Sequence, residues 1–395
     1  MTNEEVIQKA KITADNLAAA GKLSPKQANR FIDYIVDSTI LAKNARVARF
    51  RNEELEINKI GVGRRVAMPK ALATAPTARR TITTGKLTLK PKEIIVPFEI
   101  GDNFVEINIE GDDVEDHIVR MMAVQLGNNL EELYILGDTL GYAVIEKDIY
   151  EDGDAAKYIK DDYLALTDGW LKLALGSNLF DAEGENVSSG LFSRMLMSMP
   201  EKFKRNKRNL RYFCSTEHEQ LYRETMSTRI GASGEKALTT FSNLTPFGVE
   251  LVPVPLLPMN PMYVQHVTLT GEDDINLAYA DIIDTVVAAS DLAQTPQDAY
   301  VEDTDYEVDE ENGTIARIDG GSIGDGVTVK VTYKTLGKMI LTTYDNFVVG
   351  IGRDIRIEKD RDIFAGTNMY AITCKVDVLI EEPDAAVLAL NVGND

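Results

Sequence analysis

The sequence predicts an α+β protein with long strands, one dominant helix and an inserted all-β block. Three observations carry that reading. The stretch DDVEDHIVRMMAVQLGNNLEELYILGD (112–138) repeats apolar residues at three-four spacing. Residues 54–66, 80–100 and much of the chain beyond Met339 alternate as strands do. Residues 267–337 show no helical period, are punctuated by Gly and Asn turn pairs, and differ abruptly in composition from both flanks.

Taken in order, residues 3–20 read as a short helix ending at Gly21. Ser24 and Pro25 form an N-cap and first-turn pair for a second helix reaching about Asn44, with Phe31, Ile32 and Ile35 inward. The strands 54–66 and 80–100 follow. Between them AMPKALATAPTA (67–78) holds little that can pack, so the pair reads as a protruding hairpin. Two strands alone are marginal in water, and such a hairpin needs a neighbour.

The helix over 112–138 is favoured at its start by Asp112 and Asp113 and ends at Gly137. Val114, Ile118, Met121, Met122, Leu126, Leu130 and Leu133 form its predicted inner face, and Glu115, Asp116, Glu131 and Glu132 its wet one. At about 25 residues it spans roughly 37 Å.

LFSRMLMSMPEKFKRNKRNLRYFCSTE (191–217) reads as a Met/Leu-rich helix, a basic turn and a strand, and a helix opens near His218. FGVELVPVPLLP (247–258) is broken by prolines, which places it at a sheet edge or in a loop. In the β block, Asn312-Gly313, Gly320-Gly321 and Asp325-Gly326 signal turns. Val327, Val329 and Val331 alternate with Thr328, Lys330 and Thr332 as in a half-buried strand. Strands return from Met339, a third covers 369–381, and apolar Val387, Leu388, Leu390 and Val392 predict a docked final strand.

The chain has 395 residues, 44% hydrophobic and 27% charged, the balance of a soluble globular protein with a sizeable core. No apolar run approaches the roughly 20 residues of a membrane span. The acidic start MTNEEVIQKA lacks the basic flank and apolar core of a signal peptide, so a cytoplasmic protein is expected. Cys214 and Cys374 are expected to be reduced, buried and inert. The three histidines lack zinc-binding spacing.

A net charge of −21 argues against general nucleic-acid affinity. It hides an asymmetry. Residues 41–92 carry 13 Lys/Arg against 3 Glu, whereas 271–337 carry 16 Asp/Glu against 3 Lys/Arg. Opposite fields on one chain suit copies that dock on each other; the plain alternative is two solvated faces. The basic run Lys202, Lys204, Arg205, Lys207, Arg208 and Arg211 has little aromatic interleaving and reads as a surface turn, not a nucleic-acid groove.

NFVVGIGRDIRIEKDRD (346–362) is the one stretch that looks chemical. Gly350 and Gly352 lack the third glycine and following helix of a dinucleotide loop. Asp354, Glu358, Asp360 and Asp362 match no calcium loop. Alternating Arg and Asp/Glu on one strand suits cross-strand or cross-subunit ion pairs. The acidic run 302–311 reads as a solvated face, with weak calcium binding as the alternative. No nucleophile elbow, Walker loop or CxxC is present, so no catalytic, cofactor or metal residues are assigned.

The order of these segments carries a resemblance. Terminal helices and a long basic hairpin precede the helix ending NNLEELYILGD. Then come LMSMPEKFKRNKRNLRYFCSTEHEQLYRETMSTR, FGVELVPVPLLP, ILTTYDNFVVGIGRDIRIEKDRD and a final strand before Ala385-Ala386-Val387. The chain resembles the major capsid proteins of tailed bacteriophages, with the Hong Kong 97-like fold. The motifs are soft individually; their order is specific. The β block departs from the family pattern and is similar to immunoglobulin-like or other small β modules of phage structural proteins.

The resemblance implies an N-terminal arm (1–47), an extended loop (48–97), a peripheral domain (98–199) with a spine helix over 112–136, and an axial domain (200–266). An inserted β-sandwich (267–337) and return strands (338–395) would follow. It implies self-assembly, without enzymatic activity or cofactor, as hexamers and pentamers of an icosahedral head in the virion, built in a bacterial cytoplasm. Portal and scaffold proteins would be partners, no membrane would be involved, and double-stranded DNA would be enclosed without specific binding. Contact candidates between subunits are Arg46, Arg49, Arg51, Arg64, Arg65, Arg79, Arg80, Arg353, Arg356, Glu358, Asp360 and Arg361. The family's lysine–asparagine cross-link cannot be carried onto Lys86 or any other residue. An encapsulin-like compartment around a cargo enzyme and a phage tail tube or sheath subunit are the alternatives.

Overall fold

The computed structural model describes residues 39, 41–50, 54–62, 82–101, 114–140, 144–146, 158–228, 244–289, 300–362 and 367–393. The helix expected over 3–20, the loop tip 67–78 and the acidic cap Asp112–Asp113 lie outside these residues, as does most of the second helix expected to reach about Asn44, of which residues 41–44 are described and helical.

In chain order the elements begin with α1 (Leu41–Asn44), β1 (Arg46–Arg49), β2 (Leu55–Val62), β3 (Ile82–Leu89) and β4 (Lys92–Gly101). The long helix α2 (Val114–Leu136), β5 (Val144–Glu146), β6 (Tyr158–Lys160), α3 (Trp170–Leu173) and β7 (Asn178–Asp181) follow. Next are α4 (Ser189–Ser198), α5 (Glu201–Lys204), β8 (Leu210–Cys214), α6 (Thr216–Ser227) and β9 (Glu250–Pro253). The β block holds β10 (Met262–Leu269), β11 (Ile275–Asn276), β12 (Ile282–Ala289), β13 (Tyr306–Asp309), β14 (Thr314–Arg317) and β15 (Val327–Thr335). The chain closes with β16 (Gly337–Thr343), β17 (Phe347–Asp362), β18 (Thr367–Ile380) and β19 (Val387–Val392).

These elements fall into two compact units. The first comprises residues 1–28, 47–117 and 349–381. Its sheet runs β1-β17-β18-β4, and β2 and β3 form a separate two-stranded ribbon. The strand expected over 80–100 is in fact two. Pro91, which has no N–H to donate, falls in the break between β3 and β4. β4 then pairs antiparallel with β18 from Lys92↔Val376 to Gly101↔Thr367, with Phe98 stacked on Tyr370 at 4.8 Å.

The second unit comprises residues 29–46, 118–348 and 382–395. Its five-stranded sheet runs β7-β19-β16-β8-β9. The proline-broken β9 lies at the edge, where a missing donor costs no ladder bond, and β19 is docked inside as expected. Leu191, Phe192 and Met195 of α4 bury completely against Tyr212, Leu251, Met339 and Leu341. Both flanking helices are capped by serine. Ser188 Oγ accepts from Leu191 N–H at 3.1 Å, and Ser215 Oγ from His218 N–H at 3.0 Å.

Along α2, Ile118, Leu126, Leu130 and Leu133 are buried as expected, whereas Met121 is 60% exposed. The side chains of Val114, Glu115 and Asp116 lie outside the described ones. Glu131, expected to face water, is 3% exposed. Its carboxylate accepts a hydrogen bond from Leu41 N–H at the start of α1. A buried acid is tolerated because that first-turn donor would otherwise be orphaned. Glu132 beside it is half-buried, and desolvation together with Asp161 pushes its carboxyl up.

The β block holds two three-stranded sheets, β10-β15-β12 and β11-β14-β13, around a shared core including Leu269, Val287, Tyr306, Ile315 and Tyr333. The six described strands of the block are one fewer than the seven of an immunoglobulin constant domain. The block also starts earlier than the composition shift at 267 indicates. β10 begins at Met262, and Met262 faces Lys334 across the ladder. β15 is the central strand of its sheet, and side chains on both of its faces are buried. Val329 and Val331 are inside, but so are Lys330 and Thr332, which alternation placed outside. Gly313 at the β13–β14 turn has φ +62°, and a Cβ there would lie 2.1 Å from the Tyr279 carbonyl.

Candidate assembly surface

The glycine–arginine stretch that looked chemical is strand. Gly350 and Gly352 lie on β17, where the backbone closely approaches its neighbours. A Cβ at 350 would come within 2.9 Å of Leu89 Cδ1, and one at 352 within 2.6 Å of Pro91 Cγ. The glycines therefore admit the junction of β3 and β4 to the sheet. Leu89 is fully buried there, and Lys90 N–H donates to Asp377 at 2.6 Å. That junction is the root of the ribbon.

The ribbon itself is a regular antiparallel pair from Leu55↔Leu89 to Val62↔Ile82. Its acids are spent within it. Glu56 pairs with Lys86, and Glu54 with Lys90 at 2.8 Å, which holds the Lys90 ammonium above its usual range. Both pairs are solvent-exposed and contribute little to stability. By sequence, residues 41–92 carry ten more Lys and Arg than Glu.

The arginine candidates divide. Arg353 is drawn to Glu93, which also meets Lys375 at 3.4 Å, so one carboxylate on β4 ties together β17, β18 and β4. The Arg353 guanidinium is the main cause of a lowered Glu93 carboxyl pKa. Arg356 pairs with Glu358 two residues along the strand at 3.2 Å, with both side chains exposed. Asp360 is exposed on the same strand, and Arg46 and Arg49 are exposed on β1. The Arg361 side chain and all of Arg51, Arg64, Arg65, Arg79 and Arg80 lie outside the described residues.

The basic turn after α4 is also partly absorbed locally. Arg211 pairs with Glu250 at 2.6 Å, Lys204 donates to the Met197 carbonyl at 2.9 Å and Lys202 approaches Asp384 at 3.6 Å. Two of these contacts are ion pairs, and Lys204 satisfies a carbonyl near the end of α4.

Among the described residues no group of three or more His, Cys, Asp or Glu is placed to hold a metal. Both cysteines are buried free thiols. Burial raises the Cys374 thiol to about 11 and pushes Cys214 higher still. No described helix is long and apolar enough to cross a membrane.

Sequence reasoning missed two polar clusters. Asp138, 2% exposed just past α2, is paired with Lys172, which also meets Asp168 at 3.0 Å. Lys338, 6% exposed on β16, donates to Tyr263 Oη at 3.1 Å and lies 4.4 Å from the Tyr279 ring centroid. The Asp138–Lys172 and Lys338–Tyr263 contacts have no local signal, because each joins residues remote in sequence; only the Asp168–Lys172 pair is local, four residues apart.

No family model matches the chain. A curated relative, "Putative prophage capsid protein YqbE" of Bacillus subtilis (strain 168), is 26% identical over 394 residues, covering 99% of each chain. Among solved structures, the satellite phage P4 procapsid including the size determination (Sid) protein matches with a TM-score of 0.54 at 8% identity, covering 100% of each chain. The capsid of a native GTA particle matches at 0.47 and 10% identity, covering 95% of this chain and 93% of that one. The resemblance read from segment order thus extends along the whole chain, whose fold is that of the Hong Kong 97-like phage capsid proteins.

Proposed function

We propose that the protein is a major capsid protein whose copies assemble into the icosahedral head enclosing viral double-stranded DNA. The observation that carries this reading is the end-to-end match to a phage procapsid fold, beside a curated capsid relative of nearly equal length. The ribbon supplies the physics. A two-stranded sheet outside the main sheet has little core of its own and gains stability by lying on another surface. Its surplus of Lys and Arg over Glu selects an acidic surface on another copy, which a chain of net charge −21 can offer.

In this reading residues 1–47 are the arm, 48–97 the extended loop, 98–199 the peripheral domain and 200–266 the axial domain. Residues 267–337 decorate or clamp, and 338–395 return to the body. Hexamers and pentamers each need contacts of about 1,000 Å² or more, and closure replaces any single tight contact. The protein acts without catalysis, in the virion, after assembly in the host bacterial cytoplasm with portal and scaffold proteins. A net charge of −21 lets packed DNA slide along the wall instead of adhering to it.

Electron microscopy of the concentrated protein, followed by nuclease digestion of particles purified from infected or induced cells, tests the reading. Closed shells with protected DNA are expected. Monomers at every concentration, tubes, or shells enclosing a cargo enzyme would overturn it.

A further inference from the structure

We infer that the basic turn between α5 and β8 is a contact surface for an acidic face of a second copy of this chain. The inference rests on the proposed assembly into shells and names a surface through which copies meet. Other exposed cations pair locally, as Arg194 does with Glu185, Lys86 with Glu56 and Arg356 with Glu358. Arg205, Lys207 and Arg208 are exposed too, yet none of their side chains has a partner among the described residues. The three stand within four residues of one another.

The backbone that presents them is fixed. Asn209 N–H donates to the Asn206 carbonyl at 3.1 Å and closes a tight helical turn. The Arg211 guanidinium donates to the carbonyls of Arg208 and Leu210, and Glu250 holds that guanidinium at 2.6 Å. Leu210, 1% exposed, anchors the end of the turn in the core. Three like charges are thus kept close without a counter-charge, a repulsion that an acidic surface would relieve. Because the turn is already ordered, docking costs little further entropy.

The surroundings of the turn point to protein as the partner. Met197, at the end of α4, is 72% exposed, and its carbonyl accepts from Lys204 Nζ at 2.9 Å. An exposed methionine therefore lies beside the unpaired cations, and Met and Arg are both enriched where protein meets protein. A single-stranded nucleic acid would ask for open aromatic faces. Phe203, the aromatic of this turn, is half-buried with the Lys202 ammonium 4.4 Å from its ring centroid. A net charge of −21 repels a polyanion from most of the chain, and it gives a second copy acids in excess to set against these three cations.

The test has two arms on the full-length protein. In the first, copies with and without heavy nitrogen are mixed, allowed to assemble and treated with a carbodiimide, which joins an amine to a carboxylate in direct contact. Mass spectrometry should find Lys207 joined to an Asp or Glu of a copy with the other label. In the second, the protein carrying Arg205→Gln, Lys207→Gln and Arg208→Gln together should keep the parent's unfolding temperature. It should need about tenfold more protein to assemble, read by sedimentation, since three modest ion pairs sum to roughly that factor. In 1 M salt the two proteins should assemble alike. If the parent forms shells but the triple variant assembles at the same concentration, or Lys207 joins no other copy, the inference fails and the shell reading stands. Normal shells of the variant that protect less DNA from nuclease would assign the turn to nucleic acid and overturn the inference as well. A parent that remains monomeric at every concentration would overturn both.

Discussion

The ribbon and the β block carry net charge of opposite sign, and both are built from antiparallel strands. They differ in what lies beneath the charge. The β block closes two sheets over Leu269, Val287, Ile315, Val331 and Tyr333, each buried, and most of its described acids lie outside that core, with Asp305 buried. The ribbon has one sheet of two strands. At its root Leu89 is buried, but the pairs described along it, Lys86–Glu56 and Lys90–Glu54, are between exposed side chains. Charge alone does not separate a module from an appendage; a second apolar layer does.

The largest expected effect breaks that comparison directly. Replacing residues 56–88 by a short Gly/Ser linker should leave the monomer's thermal unfolding within a few degrees of the parent yet abolish shells in electron micrographs. Excising the β block should do the reverse and leave shells. The cut belongs at Met262 and Lys334, whose positions face each other across the ladder, not at 271 and 337. A cut at 271 would strand β10 without its partner β15. If ribbon removal unfolds the monomer, or block removal prevents assembly, the division into appendage and module is wrong.

A smaller effect is expected at the ribbon's root. Gly352→Val places carbons where Pro91 Cγ already stands 2.6 Å from an ideal Cβ. Overpacking of this kind costs about 1–3 kcal/mol. It should lower the unfolding temperature and weaken assembly together, since the junction of β3 and β4 is displaced. A variant as stable as the parent would show that the strands separate there without cost.

How much of this was legible in the sequence depends on how far apart the interacting groups are. The face of α2 with Ile118, Leu126, Leu130 and Leu133 is written in the local period, and so are the turns at Gly313, Gly320 and Gly326. The burial of Glu131 is not, because its partner Leu41 N–H is 90 residues away. Lys330 and Thr332 misled alternation because both faces of β15 are covered, and period 2 cannot report how many layers cover a strand. The strand pattern at Gly350 and Gly352 was legible, but their close approach to Leu89 and Pro91 was not, because only the fold brings those residues near. The order of segments identified the fold where no single motif did.

The smallest expected effect tests whether the sheet at the ribbon's root is held by charge. Glu93 joins Arg353 and Lys375, and its carboxyl pKa lies below the ordinary 4.5, first because of the Arg353 hydrogen bond. A depressed acid stabilises the folded state above its unfolded pKa, and the contribution is lost as pH falls through the folded value. Unfolding temperatures measured from pH 7 to pH 3 should therefore fall more steeply below about pH 4.5 for the parent than for Glu93→Gln, with the two curves parallel above pH 6. Because Glu93 is solvent-exposed and screened, 1 M salt should shrink the difference between the curves. Identical acid limbs would mean that Glu93 ties the three strands together in geometry alone. The burial of Leu89 and the Lys90–Asp377 hydrogen bond would then be left as the root's hold on the sheet.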